Sequence, residues 1–211
     1  MVQIIPNITE SDRKAVEQKI ALVSPYVEAI QIDIADQTLV PIKTLEDFAF
    51  LTNLDCPQIL EAHLLVHNPE LYVTRLVRSG FKRLIGHVEC IDPREFLAEA
   101  RSHECEVGLA IDIETSIEEI EPLLEEIDCV QVMTAQSGAS GQLFEESSIS
   151  KIKAIHRNFP ELPIAVEGGM NEETVKVVVQ AGATRIVTAS YIFHDESRVG
   201  EAIQRLLEIG V

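Results

Sequence analysis

A chain of 211 residues with 46% hydrophobic side chains can bury a full core and suits one domain of the barrel or doubly wound kind. Its formal charge of −18, from 17 basic against 35 acidic residues, repels nucleic acid and anionic lipid, so neither is expected as a partner and any anionic ligand must be held by local dipoles. No apolar run approaches the roughly 18 residues of a membrane span, and the opening MVQIIPNITESDRK lacks the pattern of a secretory signal, so no membrane association and a cytoplasmic location are expected.

In chain order, residues 2–5 are a β-branched run ended by Pro6-Asn7, and Thr9 with Asp12 three residues on resembles a capped start for a helix reaching about Ser24. A second strand spans 29–34, and Thr44 opens a helix through about Leu54. The third strand, 58–65, is closed by His67-Asn68-Pro69, which opens a helix with Gly80 as its C′ residue. Strand four is 84–88; Asp92-Pro93 then supplies an N-cap and an N1 proline for a helix to about His103. Strand five, 107–111, precedes a helix capped by Thr115 or Ser116 and limited by Pro122. Its acidic run, 118–126, reads as a solvated helix face. Strand six, 130–133, leads into the polar loop AQSGASGQ and a helix over about 146–157. From Ile164 a seventh strand runs to Gly168-Gly169, Asn171 caps the next helix, and a β-branched eighth strand ends at Ala189-Ser190. Ser197 caps a final amphipathic helix, 198–209.

About eight strand–helix alternations at roughly 25-residue spacing, without hairpin signals or linkers, predict a (β/α)8 TIM barrel of the phosphate-binding type. A doubly wound sheet would need a Gly-rich turn after strand one, where this chain has Pro-Asn-Ile-Thr. Cys56, Cys90, Cys105 and Cys129 show no CxxC spacing and read as reduced structural thiols. His67, His103, His156 and His194 have no predictable partners and read as surface or loop residues.

In such a barrel, polar side chains at strand carboxyl ends share one mouth, and phosphate sits in the turns after strands seven and eight. Gly168 and Gly169, with Ala189 and Ser190, offer backbone amides for an anion, although the same glycines also suit tight turns without a ligand. Strand two places Gln31 and Asp33 on one face, strand three does the same for Glu61 and His63, and strand seven ends in Glu167. A carboxylate in an apolar run must be paired, protonated or metal-bound. A backbone partner for Asp33 and a satisfied core role for His63 remain open beside a catalytic one.

These residues bring the chain close to a known pattern. Gln31-Ile32-Asp33-Ile34-Ala35-Asp36, Ala62-His63-Leu64-Leu65 and His87-Val88-Glu89 resemble the His-x-Asp-x-Met-Asp, Val-His-Leu-Met and His-Val-Glu motifs of the ribulose-phosphate 3-epimerase family. Val132-Met133-Thr134 with Gly138, Gly141, Gln142 and Phe144 is similar to its strand-six loop. Val166-Glu167-Gly168-Gly169, Asn171, Thr174, Ala189-Ser190 and Phe193 are similar to its last two units. The resemblance implies a phosphorylated sugar as substrate and two carboxylates that exchange a proton through an enediolate, here Asp33 and Glu167. It implies a divalent metal (Zn, Fe or Mn) held by Asp33, His63 and Glu167, with phosphate at Gly138, Gly141, Gly168, Gly169, Ala189 and Ser190, and self-association into a homo-oligomer.

The departures bear on activity. Gln31 stands where the family has a metal-binding His, Glu167 where it has Asp, and Asn7 near its Ser. Ala35 and Leu65 replace methionines, and Ser137, Ala139 and Ser140 replace Pro, Phe and Gly. Metal affinity is therefore expected to fall. A barrel that only binds a ligand or partner is the alternative; a decarboxylase or aldolase would need Asp-x-Lys-x-x-Asp on strand two, where Gln31 and Asp33 stand instead.

Overall fold

Short Val-, Ile- and Leu-rich runs become parallel strands here because both faces are covered, the outer one by helices and the inner one by the barrel itself. The computed structural model describes residues 2–90, 92–138 and 141–210. Its strands are β1 (Gln3–Ile8), β2 (Ala29–Ala35), β3 (Ile59–Leu65), β4 (Arg83–His87), β5 (Glu106–Ile111), β6 (Cys129–Met133), β7 (Ile164–Glu167) and β8 (Arg185–Thr188). They close in sequence order, β1 pairing with β8, so the chain is a (β/α)8 TIM barrel.

The helices are α1 (Arg13–Val23), α2 (Glu70–Arg78), α3 (Pro93–Ser102), α4 (Ile117–Ile120), α5 (Ser148–Asn158), α6 (Glu172–Ala181), α7 (Ser190–Phe193) and α8 (Val199–Ile209). Asp92 caps α3 ahead of Pro93, and Asn171 caps α6 in a reciprocal box with Thr174, both as local chemistry predicts.

Four expectations fail. β1 continues through Pro6 to Ile8, because residues 3–6 pair with β8 and residues 7–8 with β2. Asp12 caps α1, while Thr9 is drawn away to the Asp33 carboxylate. Between β2 and β3 the expected α-helix is replaced by a 3-10 turn, Ala49–Asn53, and the buried Thr44 hydroxyl accepts the Ala35 N–H instead of capping a helix. Asp195 rather than Ser197 caps the chain's entry to α8, through a 3-10 turn, Glu196–Arg198. His103 also proves paired, with Thr74 and Glu99. All four cysteines are free thiols.

Alternation divides the barrel interior into levels. At the amino ends of the strands the fully buried Glu61 accepts hydrogen bonds from Arg83 and Arg185. Two small apolar clusters stand apart from the main core, Ile5, Ala29, Ala165 and Val187 in one and Ile85, Ala110 and Cys129 in the other. The carboxyl ends carry Asp33, His63 and Glu167.

Candidate active site

The period of two that puts Asp33 and His63 two residues beyond Gln31 and Glu61 raises them to the mouth, and the β2–β3 register sets them side by side. Glu61, on the same interior face, lies at the opposite end, so only His63 of that pair reaches the mouth. Glu167 enters from β7, the last residue before Gly168. One ligand atom from each of Asp33, His63 and Glu167 lies within 4.8 Å of the others, in a group that is buried apart from partial exposure at Glu167.

Each oxygen of the two carboxylates accepts a protein donor. Asp33 Oδ2 accepts from Asn7 (3.0 Å) and Thr9 (2.7 Å), while Oδ1 faces His63 Nδ1 at 3.1 Å. Glu167 Oε1 accepts from Asn7 (2.7 Å), and Oε2 from Gln31 (2.8 Å) and Gln131 (2.7 Å), with His63 Nδ1 3.3 Å away. The three amides turn their NH2 groups toward negative charge, which leaves Asn7 Oδ1, Gln31 Oε1 and Gln131 Oε1 buried without a partner. An unpaired buried acceptor costs about 1–3 kcal/mol, so the carboxylates govern how the amides point.

Electrostatics separates the two acids. Burial acts to raise the Asp33 carboxyl, but the hydrogen bond and charge of His63, with Thr9 and Asn7, outweigh it and hold Asp33 below its ordinary value. Burial and the Asp33 charge push Glu167 well above its own, against the donors Gln31 and Asn7. Burial lowers His63 despite Asp33 beside it. The surroundings thus favour the ionised form at Asp33 and the protonated form at Glu167, which sets the two carboxyls apart within one cavity.

A cavity of about 70 Å³ joins Asp33, His63 and Glu167 to the turns at Gly168-Gly169 and Ala189-Ser190 and to the loop carrying Gly138 and Gly141. It meets a broader surface groove of about 810 Å³ at Gly141, Gly169 and Ser190. Gly168 and Gly169 have φ of 116° and 64°, and a Cβ on either would stand 2.5 Å from backbone nitrogen of Ala135 or Phe144. Turn geometry and close loop packing therefore already require these glycines. Ala139 and Ser140 lie outside the described residues.

Sequence reasoning missed the roles of four neighbours. From sequence Thr9 reads as a cap and Asn7 only as a departure, and Gln131 and His87 carry no role. Gln131 and His87 are polar residues in apolar strand runs, the signal that singled out Asp33, and both are buried.

Residues 3–193 match the ribulose-phosphate 3 epimerase family. The chain belongs to that family. It is 30% identical over 206 residues to ribulose-phosphate 3-epimerase of Schizosaccharomyces pombe, covering 93% of this chain and 90% of the relative. With ribulose-phosphate 3-epimerase of Bacillus subtilis it shares 29% over 208 residues, 94% and 95% of the two chains. The barrel is also similar to 3-hexulose-6-phosphate synthase (TM-score 0.76, 16% identity, all of both chains) and to a mutant tryptophan synthase alpha-subunit from Pyrococcus furiosus (TM-score 0.74, 15% identity, 98% of each). At these identities the two structures speak to fold alone.

The family implies a divalent metal, and the donor set meets that requirement in part. One imidazole nitrogen and two carboxylate oxygens, converging within 4.8 Å, suit a three-ligand catalytic metal centre. Gln31 does not complete a fourth position, because its amide N–H rather than its oxygen faces Glu167.

Proposed function

We propose that this chain is a phosphosugar 3-epimerase, with ribulose 5-phosphate as the first substrate to test. The observation that carries the reading is the pairing of two adjacent buried carboxylates with opposed proton affinities at a barrel mouth. Asp33, ionised, removes the proton from C3 as the C–H electrons move toward the C2 carbonyl oxygen; Glu167, protonated, delivers its proton to C3 on the opposite face. The pair starts and ends with one proton, so the reverse reaction uses the same charge state with the roles exchanged. N–H groups of Gln31, Asn7 and Gln131 lie beside the carboxylates and can turn to the developing oxyanion. When bound, a divalent cation would be held by Asp33, His63 and Glu167 and would supply positive charge next to that oxygen.

The phosphate belongs at the junction of cavity and groove, on backbone amides of the turns at Gly168-Gly169 and Ala189-Ser190 and of the loop bearing Gly138 and Gly141. A chain with 35 acidic residues gains most from such uncharged donors. The test is proton exchange: in D2O, with zinc, iron or manganese added in turn, purified protein should place deuterium at C3 of ribulose 5-phosphate. No label in any of these conditions would leave the second reading, a non-catalytic barrel. That reading draws on the amides that already satisfy both carboxylates and on the incomplete fourth ligand position.

A further inference from the structure

Gln131 differs from the other two amides at the mouth in that the fold itself does not call for it. Alternation along β6 turns it into the barrel with Cys129 and Met133, and it is fully buried. Its register partners are Ala110 on β5 and Ala165 on β7, so a small side chain on each flank leaves room for a long one. The amide Nε2 donates to Glu167 Oε2 at 2.7 Å and lies 3.9 Å from Met133 Sδ, a weak acceptor. Its Oε1 has no partner.

Glu167 Oε2 also accepts the Gln31 amide at 2.8 Å, so removing Gln131 would leave that oxygen with a donor. An orphaned buried carbonyl lowers stability, and an apolar side chain of the same shape avoids it. What Gln131 supplies is direction. The terminal torsion of a glutamate is soft, so its carboxylate turns unless donors hold it. Asn7 and Gln31 cannot hold it independently, because each also reaches the other acid: Asn7 spans Asp33 Oδ2 (3.0 Å) and Glu167 Oε1 (2.7 Å), and Gln31 lies 3.4 Å from Asp33 Oδ1. Of these three amides, Gln131 alone meets Glu167 without touching Asp33.

We infer that Gln131 is a positioning residue that fixes the orientation of the Glu167 carboxylate while lowering the stability of the fold. The consequence for rate rests on the epimerase reading, whereas the Glu167 conformation and the stability do not.

Gln131→Met, unbranched and of similar length but without the N–H, tests the inference, and Gln131→Leu repeats the test with a second apolar shape. Both should unfold in a urea melt at a midpoint no lower than that of the wild type. In crystal structures, the Glu167 carboxylate should hold one conformation in the wild type and more than one in Gln131→Met. In both variants kcat for C3 exchange should fall by about 10- to 100-fold, with KM little changed. A lower midpoint in both variants, or failure of both to fold, would show that Gln131 serves the fold and would overturn the inference. A Glu167 carboxylate that keeps its single conformation in Gln131→Met, or a kcat within about threefold of the wild type, would overturn it as well. A wild type that exchanges nothing at C3 sinks the epimerase reading, while the melts and the Glu167 conformations still decide the role of Gln131.

Discussion

With one methylene more than aspartate, Glu167 brings Oε2 within 2.8 Å of two glutamines, Gln31 and Gln131, while Oε1 meets Asn7. An aspartate at this position would draw its carboxylate back by about one C–C bond, roughly 1.5 Å, and displacements of that order can cost about a hundredfold in rate. The amides around Glu167 are thus matched to the longer side chain. Asp33→Asn should abolish deuterium exchange at C3, by at least about a hundredfold, because the base is lost while hydrogen bonding from Thr9 can persist; substantial residual exchange would remove Asp33 from the chemistry. The opposed shifts also predict a bell-shaped profile of kcat/KM, falling on the acid side as Asp33 gains a proton and on the alkaline side as Glu167 loses one. The Glu167 shift also makes stability depend on pH. The folded state holds the Glu167 proton more tightly than the unfolded chain does. Stability contributed by this group is therefore present below the ordinary carboxyl value of 4.5 and lost as pH rises through the raised one. Melting curves of Glu167→Gln and wild type should diverge in favour of the variant from pH 4 to pH 9; a constant difference would contradict the shift.

The β7–α6 element shows how local rules place a site. Ile164–Glu167 ends where Gly168 reverses the chain, and Asn171 with Thr174 starts α6 at once, so the turn between them is held at both ends. Gly168→Ala would set a Cβ 2.5 Å from the Ala135 nitrogen at a φ of 116°, a change expected to cost about 1–3 kcal/mol or more in a thermal or urea melt. Asn171→Ala should cost about 1 kcal/mol, the worth of the lost cap. Equal, negligible effects of both would mean that the turn is not under this constraint. Strand ends, caps and turn glycines could be read from the chain because they depend on neighbours a few residues away. The segment opened by Thr44 could not, since its hydroxyl answers to the Ala35 N–H of β2 rather than to a helix of its own.

Across the whole molecule the barrel separates two polar ends. Glu61, fully buried, accepts from Arg83 and Arg185, drawn from strands four and eight. Glu61→Gln should destabilise by about 3–5 kcal/mol in a urea or thermal melt, because two arginines lose their buried counter-charge; an unchanged melt would show that the arginines do not depend on it. The apolar period and the run of eight strand–helix units are carried by adjacent residues. The barrel, its mouth and the facing of Asp33, His63 and Glu167 were accordingly legible in the chain. Contacts such as Asn7 with Glu167, 160 residues apart, and the meeting of His63 with His87 were not. Hydrogen-bond direction and the two acids' opposed proton affinities depend on burial and on neighbours that closure alone brings together, and no local pattern records them.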